Sequence, residues 1–366
     1  MSLPPRDEIV NLPPCPHGGI DHAELNALGL DPARVPDFSV CTNPYRPPLD
    51  IEKIMDTIDL SRYPDSTATE LREQLAEIQG VPADNIIASS GTTELIRLIT
   101  LTYLRPADSA LVLEPTYGEY EVACRLAGSE PVRQQAREEN DFAFKIDETV
   151  DLIRKHRPRL VFLCNPNNPT GHYLSRGEIE ALIAATGDGL LAIDEAYVSF
   201  VEKIWRSDDL IHHGNVIILR SMTKDYGLAG LRLGYGVASD RIISNLRKAC
   251  PPWNVNAIAQ KVGMSVLPAT DYLRQSGEKL RQGRQFLVDK LCRLGFTVLP
   301  SDTHYFLVKV GNASEFRAAL LKYGIVVRDC SSLGLPEYVR IAARTMPECR
   351  RLVATIEDNI RELGYG

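Results

Sequence analysis

The stretch RSMTKDYGLAGLRLGYGVAS, residues 220–239, follows a short apolar run and places Lys224 before a glycine-rich segment. A lysine at the exit of a buried strand loses its charge through desolvation, and its amine becomes nucleophilic. Ser221 and Thr223 add hydroxyl groups, and Arg232 adds a fixed cation. Such a set suits the phosphate of an aldehyde cofactor whose aldehyde reacts with the lysine. A lone lysine is usually a solvated surface residue, so this assignment depends on the neighbours.

Short apolar runs of strand length recur upstream and alternate with helical patterns. They lie at residues 111–113, 160–164, 190–193 and 216–219. Continuous apolar strands between helices are typical of a mostly parallel sheet covered on both faces, so the pattern predicts an α/β fold. After residue 252 a long charged helix and alternating strands predict a smaller α+β unit. We expect an N-terminal arm over residues 1–40, a large domain over 41–250 and a small C-terminal domain over 251–366.

Composition and charge restrict the class of protein. The chain has 366 residues and a formal net charge of −7, which offers no basic footprint for nucleic acid and would also disfavour anionic ligands. No apolar run reaches the roughly 18 residues of a membrane span, and the N-terminus lacks the pattern of a signal peptide. Eight scattered cysteines without zinc-ligand spacing predict reduced thiols, a cytoplasmic location and no metal site.

An acidic residue ends another of the apolar runs. Asp194, in LLAIDEAY, should lie at the same edge of the sheet as Lys224, and its carboxylate would need a cationic partner there. The nitrogen of a pyridinium ring would provide one. Tyr197 follows three residues later and could donate a hydrogen bond to a ring oxygen. A structural acid held by a salt bridge is the alternative for Asp194.

Three further motifs begin where strands end. In CNPNNPTG, residues 164–171, two Asn-Pro steps force a turn, and Asn168 offers its amide to a cofactor hydroxyl. SSGTTELIRLI places Gly91, Thr92 and Thr93 at the start of a helix, where backbone N–H groups bind phosphate, although Thr92 could simply cap the helix. Tyr117, in EPTYGEY, could stack on a planar cofactor or be a buried core tyrosine.

Together these motifs, in this order, resemble the pyridoxal 5′-phosphate (PLP) enzymes of fold type I, the aspartate aminotransferase superfamily. The resemblance implies a large three-layer α/β/α domain with a mostly parallel sheet and a small α+β C-terminal domain. It also implies PLP as the cofactor and a homodimer in which Tyr63 reaches the neighbouring site. Lys224, Asp194 and Tyr117 would be catalytic. The cofactor-binding residues would be Lys224, Asp194, Asn168, Tyr197, Tyr117, Gly91, Thr92, Thr93, Ser221, Thr223, Arg232 and Tyr63.

Within the superfamily the chain is similar to two groups that act on phosphorylated substrates. The segments HGG at residues 17–19, DFSVCTNPYRPP at 37–48 and PWNVNA at 252–257 resemble the threonine-phosphate decarboxylases of cobalamin biosynthesis. NPY and GLPEY are equally typical of histidinol-phosphate aminotransferases. The resemblance predicts decarboxylation of L-threonine O-3-phosphate to 1-aminopropan-2-ol O-2-phosphate, with histidinol-phosphate or a related class I/II amino-group transfer as the alternative. The substrate-binding residues would be Arg340, Arg328, His17, Asn43 and Asn168.

Overall fold

The computed structural model describes residues 3–12 and 14–360. The helices are α1 (Asp7–Val10), α2 (His22–Ala27), α3 (Ile51–Met55), α4 (Thr69–Gln79), α5 (Thr92–Tyr103), α6 (Glu119–Leu126), α7 (Ile146–His156), α8 (Arg176–Thr186), α9 (Met222–Asp225), α10 (Asp240–Ala249), α11 (Ala257–Val266), α12 (Thr270–Arg293), α13 (Ala313–Lys322) and α14 (Met346–Asp358). The strands are β1 (Ile86–Ser89), β2 (Ala110–Glu114), β3 (Val132–Gln135), β4 (Leu160–Cys164), β5 (Leu190–Asp194), β6 (Val216–Ser221), β7 (Gly234–Ala238), β8 (Thr297–Val298), β9 (Tyr305–Lys309), β10 (Arg328–Asp329) and β11 (Tyr338–Ala342).

The larger sheet has seven strands in the order β1-β7-β6-β5-β4-β2-β3. Strands β2 to β6 pair in parallel, whereas β7 is antiparallel to both of its neighbours, β1 and β6. The sheet is therefore mostly parallel, as the continuous apolar runs predict. The glycine-rich segment after Lys224 contains β7, which the sequence pattern did not identify as a strand. A Cβ on Gly234 would lie 3.0 Å from the backbone of Arg220 and Thr92, so only glycine fits without displacement there.

Helices cover both faces of this sheet. Along β6, Val216 and Ile218 face a core that contains residues of α4 and α8, while Ile217 and Leu219 face one built with α5, α6 and α10. Successive side chains of a strand point to opposite faces, so these four residues are buried alternately by one helical layer and the other. The predicted three-layer α/β/α arrangement is confirmed.

The smaller sheet is antiparallel, with four strands in the order β10-β11-β9-β8. Its core contains Leu287 and Leu291 of α12, Ile341 of β11, and Leu352 and Ile356 of α14. This is the α+β unit that the C-terminal pattern predicts. The last helix, α14, ends at Asp358, and residues 361–366 lie outside the described part of the chain.

The N-terminal segment packs on this smaller unit. The backbone N–H of Phe38 donates to the carbonyl of Val326 at 2.8 Å, and Leu25 and Val35 pack against Leu321 and Val326. Helix α11, although it follows residue 250, packs on α4 beside the larger sheet. The domain limits at residues 40 and 250 stay a prediction. Among the described helices, none combines the length and apolar composition needed to cross a membrane.

Candidate active site

Two adjoining cavities open at the carboxyl ends of strands β4, β5 and β6. The inner cavity is lined by Thr92, Thr93, Tyr117, Tyr120, Cys164, Asn168, Asp194, Ala196, Tyr197, Ser221, Thr223, Lys224 and Arg232. The outer cavity is lined by Pro16, His17, Gly18, Ser39, Val40, Cys41, Tyr117, Gly118, Asn168, Tyr197, Lys224, Arg328, Leu333 and Arg340. Tyr117, Asn168, Tyr197 and Lys224 belong to both. The five motifs therefore meet at one place, because parallel strands end at the same edge of a sheet.

Lys224 lies between the two cavities. It belongs to the one-turn helix α9, which begins directly after β6, and its Nζ is 5.8 Å from the centre of the Tyr197 ring. Burial lowers the pKa of Lys224, because a low-dielectric surrounding disfavours the ammonium form. The positive charges of Arg340 and Arg232 act in the same direction. The arrangement provides an amine that can reach its neutral, nucleophilic form more easily than an exposed lysine can.

Asp194, at the end of β5, is buried and held from two sides. Tyr120 Oη donates to its Oδ2 at 2.8 Å, and the backbone N–H of Ala196 donates to its Oδ1 at 3.0 Å. Burial nevertheless raises the pKa of Asp194 to about 6. Within residues 3–12 and 14–360 this carboxyl forms no ion pair. A cationic ring nitrogen in the inner cavity would supply the missing partner.

The opposite end of the inner cavity is suited to a phosphate. Helix α5 begins at Thr92, and its N-cap residue, Gly91, has a positive φ of 83° and makes no side-chain capping bond. The first N–H groups of a helix lack intrahelical partners and bind anions. Ser221 Oγ and Thr223 Oγ1 lie 2.8 Å apart on the same wall. The Arg232 guanidinium covers Gly91 so closely that a Cβ there would lie 2.6 Å from Nη2.

Two tyrosines close the side of the inner cavity. Tyr117 Oη is 3.2 Å from Thr93 Oγ1, and burial raises the pKa of Tyr117 to about 12, so this phenol stays protonated. Tyr120 meets Tyr117 edge to face and stacks on Phe162 at 5.0 Å. Tyr120 was not among the site residues predicted from the sequence. The signal for it was the spacing of three residues in EPTYGEY, which puts both tyrosines on one side of the turn into α6.

The outer cavity contains two buried arginines opposite each other on neighbouring strands, Arg328 of β10 and Arg340 of β11. Arg328 Nη2 donates to the carbonyl of Pro16 at 2.7 Å and to Ser332 Oγ at 2.8 Å. Arg340 donates to Asn168 Oδ1 and to the carbonyl of Ser39. In the described part of the chain neither guanidinium pairs with a carboxylate. Two buried cations without a counter-ion indicate an anionic ligand.

The remaining predicted site residues lie elsewhere or have other partners. His17 lines the outer cavity, but its Nε2 is 3.1 Å from Glu119 Oε1. Asn43 reaches neither cavity, because its amide nitrogen donates to the Asp225 carbonyl and to Ser276. Its assignment to the substrate site stays a prediction, which these two contacts do not support. Tyr63 is 76% exposed and lies away from both cavities.

The comparisons with known proteins agree with this geometry. A family model described as "Aminotransferase class I and II" matches residues 43–356. The chain belongs to the class I and II aminotransferase family. A histidinol-phosphate aminotransferase of Thermoanaerobacter sp. (strain X514) is 36% identical over 293 residues, which is 80% of this chain and 82% of that protein. The histidinol-phosphate aminotransferase of Methanocaldococcus jannaschii is 31% identical over 97% of both chains.

Solved structures of aminotransferases share the fold. Histidinol-phosphate aminotransferase from Sinorhizobium meliloti, determined in complex with pyridoxal-5′-phosphate, has a TM-score of 0.88 at 23% identity, over 98% of this chain and 97% of that one. The predicted fold type is thereby confirmed. The prediction of PLP as the cofactor is confirmed as well, by membership of this family. The inner cavity combines a helix start that can bind phosphate, a carboxylate with no ion pair among the described residues, and a lysine with a lowered pKa. This combination fits PLP.

The expected decarboxylation of threonine phosphate was wrong. L-threonine-O-3-phosphate decarboxylase from Porphyromonas gingivalis does share the fold, with a TM-score of 0.76 and 28% identity over 87% of this chain and 98% of that one. However, this chain is 31–36% identical over most of its length to several curated relatives, and these are histidinol-phosphate aminotransferases. The segments used to prefer the decarboxylase lie in the arm and around residue 252, and both groups have phosphorylated substrates. These segments did not decide which of the two reactions the chain catalyses.

Proposed function

We propose that the protein is a histidinol-phosphate aminotransferase, which moves an amino group between L-histidinol phosphate and 2-oxoglutarate. The observation that carries the proposal is the buried pair Arg328 and Arg340, which faces Lys224 across the outer cavity without a carboxylate partner. One partner substrate carries a phosphate and the other carries two carboxylates. A pair of arginines can bind either anion through bidentate hydrogen bonds, so one pocket can serve both substrates in turn.

The cofactor would be held by groups that the inner cavity already orders. Its phosphate would lie at the start of α5, against Thr92, Thr93 and the guanidinium of Arg232. Asp194 would pair with the ring nitrogen, and its two present donors fix the carboxylate in place. When bound, PLP withdraws electrons from the substrate carbon that carries the amino group. The further cofactor-binding groups would be Tyr117, Asn168, Tyr197, Ser221 and Thr223.

The chain's own chemistry would be centred on Lys224. Its side chain borders both cavities, so its neutral amine would take a proton from the reacting carbon of a substrate in the outer cavity and hold it on Nζ until it is returned. Arg328 and Arg340 would hold the substrate anion and so orient the carbon–hydrogen bond toward this amine. Burial lowers the pKa of Lys224, which increases the fraction of the neutral amine at neutral pH.

We also propose that the working form is a homodimer in which Tyr63 completes the cofactor site of the partner subunit. Tyr63 and Trp253 are 76% and 43% exposed, yet their rings stack at 4.2 Å. Asn254, next to this pair, donates to Glu94 Oε2 at 2.8 Å and so ties the loop to the first turn of α5. A second copy covering the exposed rings would therefore lie beside the phosphate end of the inner cavity.

The deciding experiment incubates the purified protein with PLP, L-histidinol phosphate and 2-oxoglutarate and measures glutamate. We expect one glutamate for each histidinol phosphate consumed. The matched reaction supplies O-phospho-L-threonine instead and measures both CO2 and glutamate. Turnover of histidinol phosphate should exceed that of O-phospho-L-threonine by at least about tenfold in kcat/KM, because the phosphate contacts are shared and only one substrate fits the rest of the pocket. CO2 release without glutamate formation would overturn the proposal.

A further inference from the structure

Three side chains of different chemistry converge beside the outer cavity. Cys15 and His17 belong to the N-terminal arm, and Glu119 is the first residue of α6. One ligand atom from each, a thiol sulfur, an imidazole nitrogen and a carboxylate oxygen, lies within 4.8 Å of the other two. His17 Nε2 and Glu119 Oε1 are 3.1 Å apart. Residues a hundred positions apart in the sequence are thus held in one small cluster.

We propose that Cys15, His17 and Glu119 form a binding site for a transition-metal ion of the Zn²⁺ type. Zinc takes sulfur, nitrogen and carboxylate oxygen at about 2.0–2.3 Å in a tetrahedral arrangement, so the three ligand atoms need only small movements to reach it. Three protein ligands leave a fourth position for water or another donor. Thiolate and imidazole together favour zinc over magnesium or calcium, which prefer oxygen ligands.

The carboxylate ligand is already oriented by a second group. Arg97 Nη2 donates to Glu119 Oε2 at 2.6 Å, which leaves Oε1 facing His17. The Glu119 side chain is only 9% exposed, and its two oxygens are held by His17 and Arg97. An ionised and oriented oxygen is therefore present before the metal arrives. Such outer-shell partners fix ligand geometry in known metal sites.

Binding must displace a proton from the thiol. Zinc binds a cysteine as its thiolate. When the sulfur–zinc bond forms, the sulfur–hydrogen bond breaks and the proton goes to the buffer, with no change in oxidation state. The hydrogen bond between His17 and Glu119 is replaced by two metal–ligand bonds.

The position of the site ties it to the outer cavity. Pro16 lies between the two arm ligands, and its carbonyl accepts the hydrogen bond from Arg328 at 2.7 Å. His17 itself lines that cavity. A bound metal would fasten the arm to α6 at the cavity's mouth, while the inner cavity contains none of the three ligands. Metal binding can therefore be measured on the PLP-loaded protein without touching the cofactor's own contacts.

The test titrates the reduced, PLP-loaded protein with Co²⁺, followed by visible difference spectra, and with Zn²⁺, followed by calorimetry in two buffers of different ionisation enthalpy. We expect one ion per chain, visible Co²⁺ bands of a tetrahedral site, and proton release on Zn²⁺ binding. Cys15→Ser, His17→Gln and Glu119→Gln should each weaken binding by at least about tenfold. Cys292→Ser and His213→Gln, changes at exposed residues elsewhere, serve as matched controls and should bind like the wild type.

Two results would overturn the proposal. The first is the absence of stoichiometric Co²⁺ or Zn²⁺ binding to the wild-type chain. The second is equal binding by the wild type and the three ligand variants, which would place the ion elsewhere. The cofactor absorbance of each variant is recorded in parallel, so a variant that fails to fold is recognised by its loss of PLP. The outcome is independent of which amino donor the enzyme uses, because no substrate is present.

Discussion

The inner cavity is lined by residues at the ends of neighbouring strands of one sheet, whereas the outer cavity combines the N-terminal arm, the turn before α6 and the smaller sheet. In the inner cavity Asp194 is held by Tyr120 and by a backbone N–H two residues along the chain. In the outer cavity Arg328 and Arg340 are held by carbonyl groups of the arm, from Pro16 and Ser39. The inner cavity is thus fixed by the sheet, and the outer cavity depends on how separate segments pack together.

The largest effect should come from the residue that both cavities share. Lys224→Ala removes the amine that, in the proposed function, carries the cofactor and moves the proton, so we expect turnover to fall by at least about 10³-fold. The visible absorbance of lysine-bound PLP should disappear, while far-ultraviolet circular dichroism stays unchanged. Lys203→Ala, at an exposed lysine, is the control. Appreciable turnover by the Lys224 variant would show that the inner cavity is not the reaction site.

Variants of Arg328 and Arg340 test whether the outer cavity binds the substrate and not the cofactor. Arg328→Gln and Arg340→Gln should each weaken transition-state binding of the phosphorylated substrate by about 2–5 kcal/mol, because each removes one partner of a buried charge contact. PLP absorbance should stay at the wild-type level, since Arg328 and Arg340 do not line the inner cavity. Arg105→Gln, at an exposed arginine, is the comparison. Loss of PLP in either variant would contradict the separation of the two cavities.

The charge of Asp194 gives a pH-dependent prediction for the inner cavity. Its pKa is about 6 in the folded chain, against an ordinary value of 3.8. Between pH 3.8 and pH 6 the Asp194 carboxyl is protonated mainly in the folded chain. The contribution of Asp194 to the free energy of unfolding therefore falls as the pH rises, and above pH 6 the ionised group lowers that free energy by about 3 kcal/mol. Cofactor-free Asp194→Asn should therefore be more stable than the cofactor-free wild type by about 1–3 kcal/mol at pH 8.

Urea unfolding of the two cofactor-free proteins at pH 5 and pH 8 checks this expectation. The advantage of the Asn variant should be smaller at pH 5, because the wild-type carboxyl is then largely protonated in the folded chain. A stability advantage of the same size at both pH values would mean that the buried, ionised carboxylate does not destabilise the fold when it lacks a cationic partner. Once PLP is bound, the order should reverse in favour of the wild type, since Asp194 then has its counter-ion.

The smallest expected effect concerns the second subunit. If Tyr63 completes the partner's inner cavity, a refolded equal mixture of Tyr63→Ala and Lys224→Ala should recover about one quarter of wild-type activity, because half of the dimers are hybrids and each hybrid has one complete site. The readout is specific activity against that of each variant alone. No recovery, with hybrid dimers present by mass spectrometry, would mean that each inner cavity is complete within one chain.

The sequence was most informative where a reactive or ligand-binding residue stands at the end of a strand or directly after it. The runs that became β4, β5 and β6 placed Cys164, Asp194 and Lys224 at one edge of the larger sheet, and the structure brings the motifs together there. The glycine-rich β7 was missed, because its burial depends on close contact with the turn before α5 and not on apolar side chains. Tyr120 was missed because its role is to hold Asp194, a contact across 74 residues.

The outer cavity could not be worked out in the same way. Spacing along the chain gave no metal cluster, yet folding brings Cys15 and His17 to Glu119. The same reasoning placed Asn43 in the substrate site, whereas its amide is bonded to Ser276 and to the Asp225 carbonyl. Short motifs of the arm also favoured the wrong reaction. Residues that act across long sequence separations depend on packing, which local patterns do not encode.

The N-terminal arm bridges the two structural units, and this has a practical consequence for engineering. The arm is in contact with α6 through His17 and Glu119 and continues to the smaller unit through Phe38 and Val326. Exchanging residues 14–40 for the equivalent segment of a relative would replace one whole wall of the outer cavity in a single cloning step. The larger sheet would keep its sequence. Variants with exchanged arms could therefore be screened for activity with other amino donors.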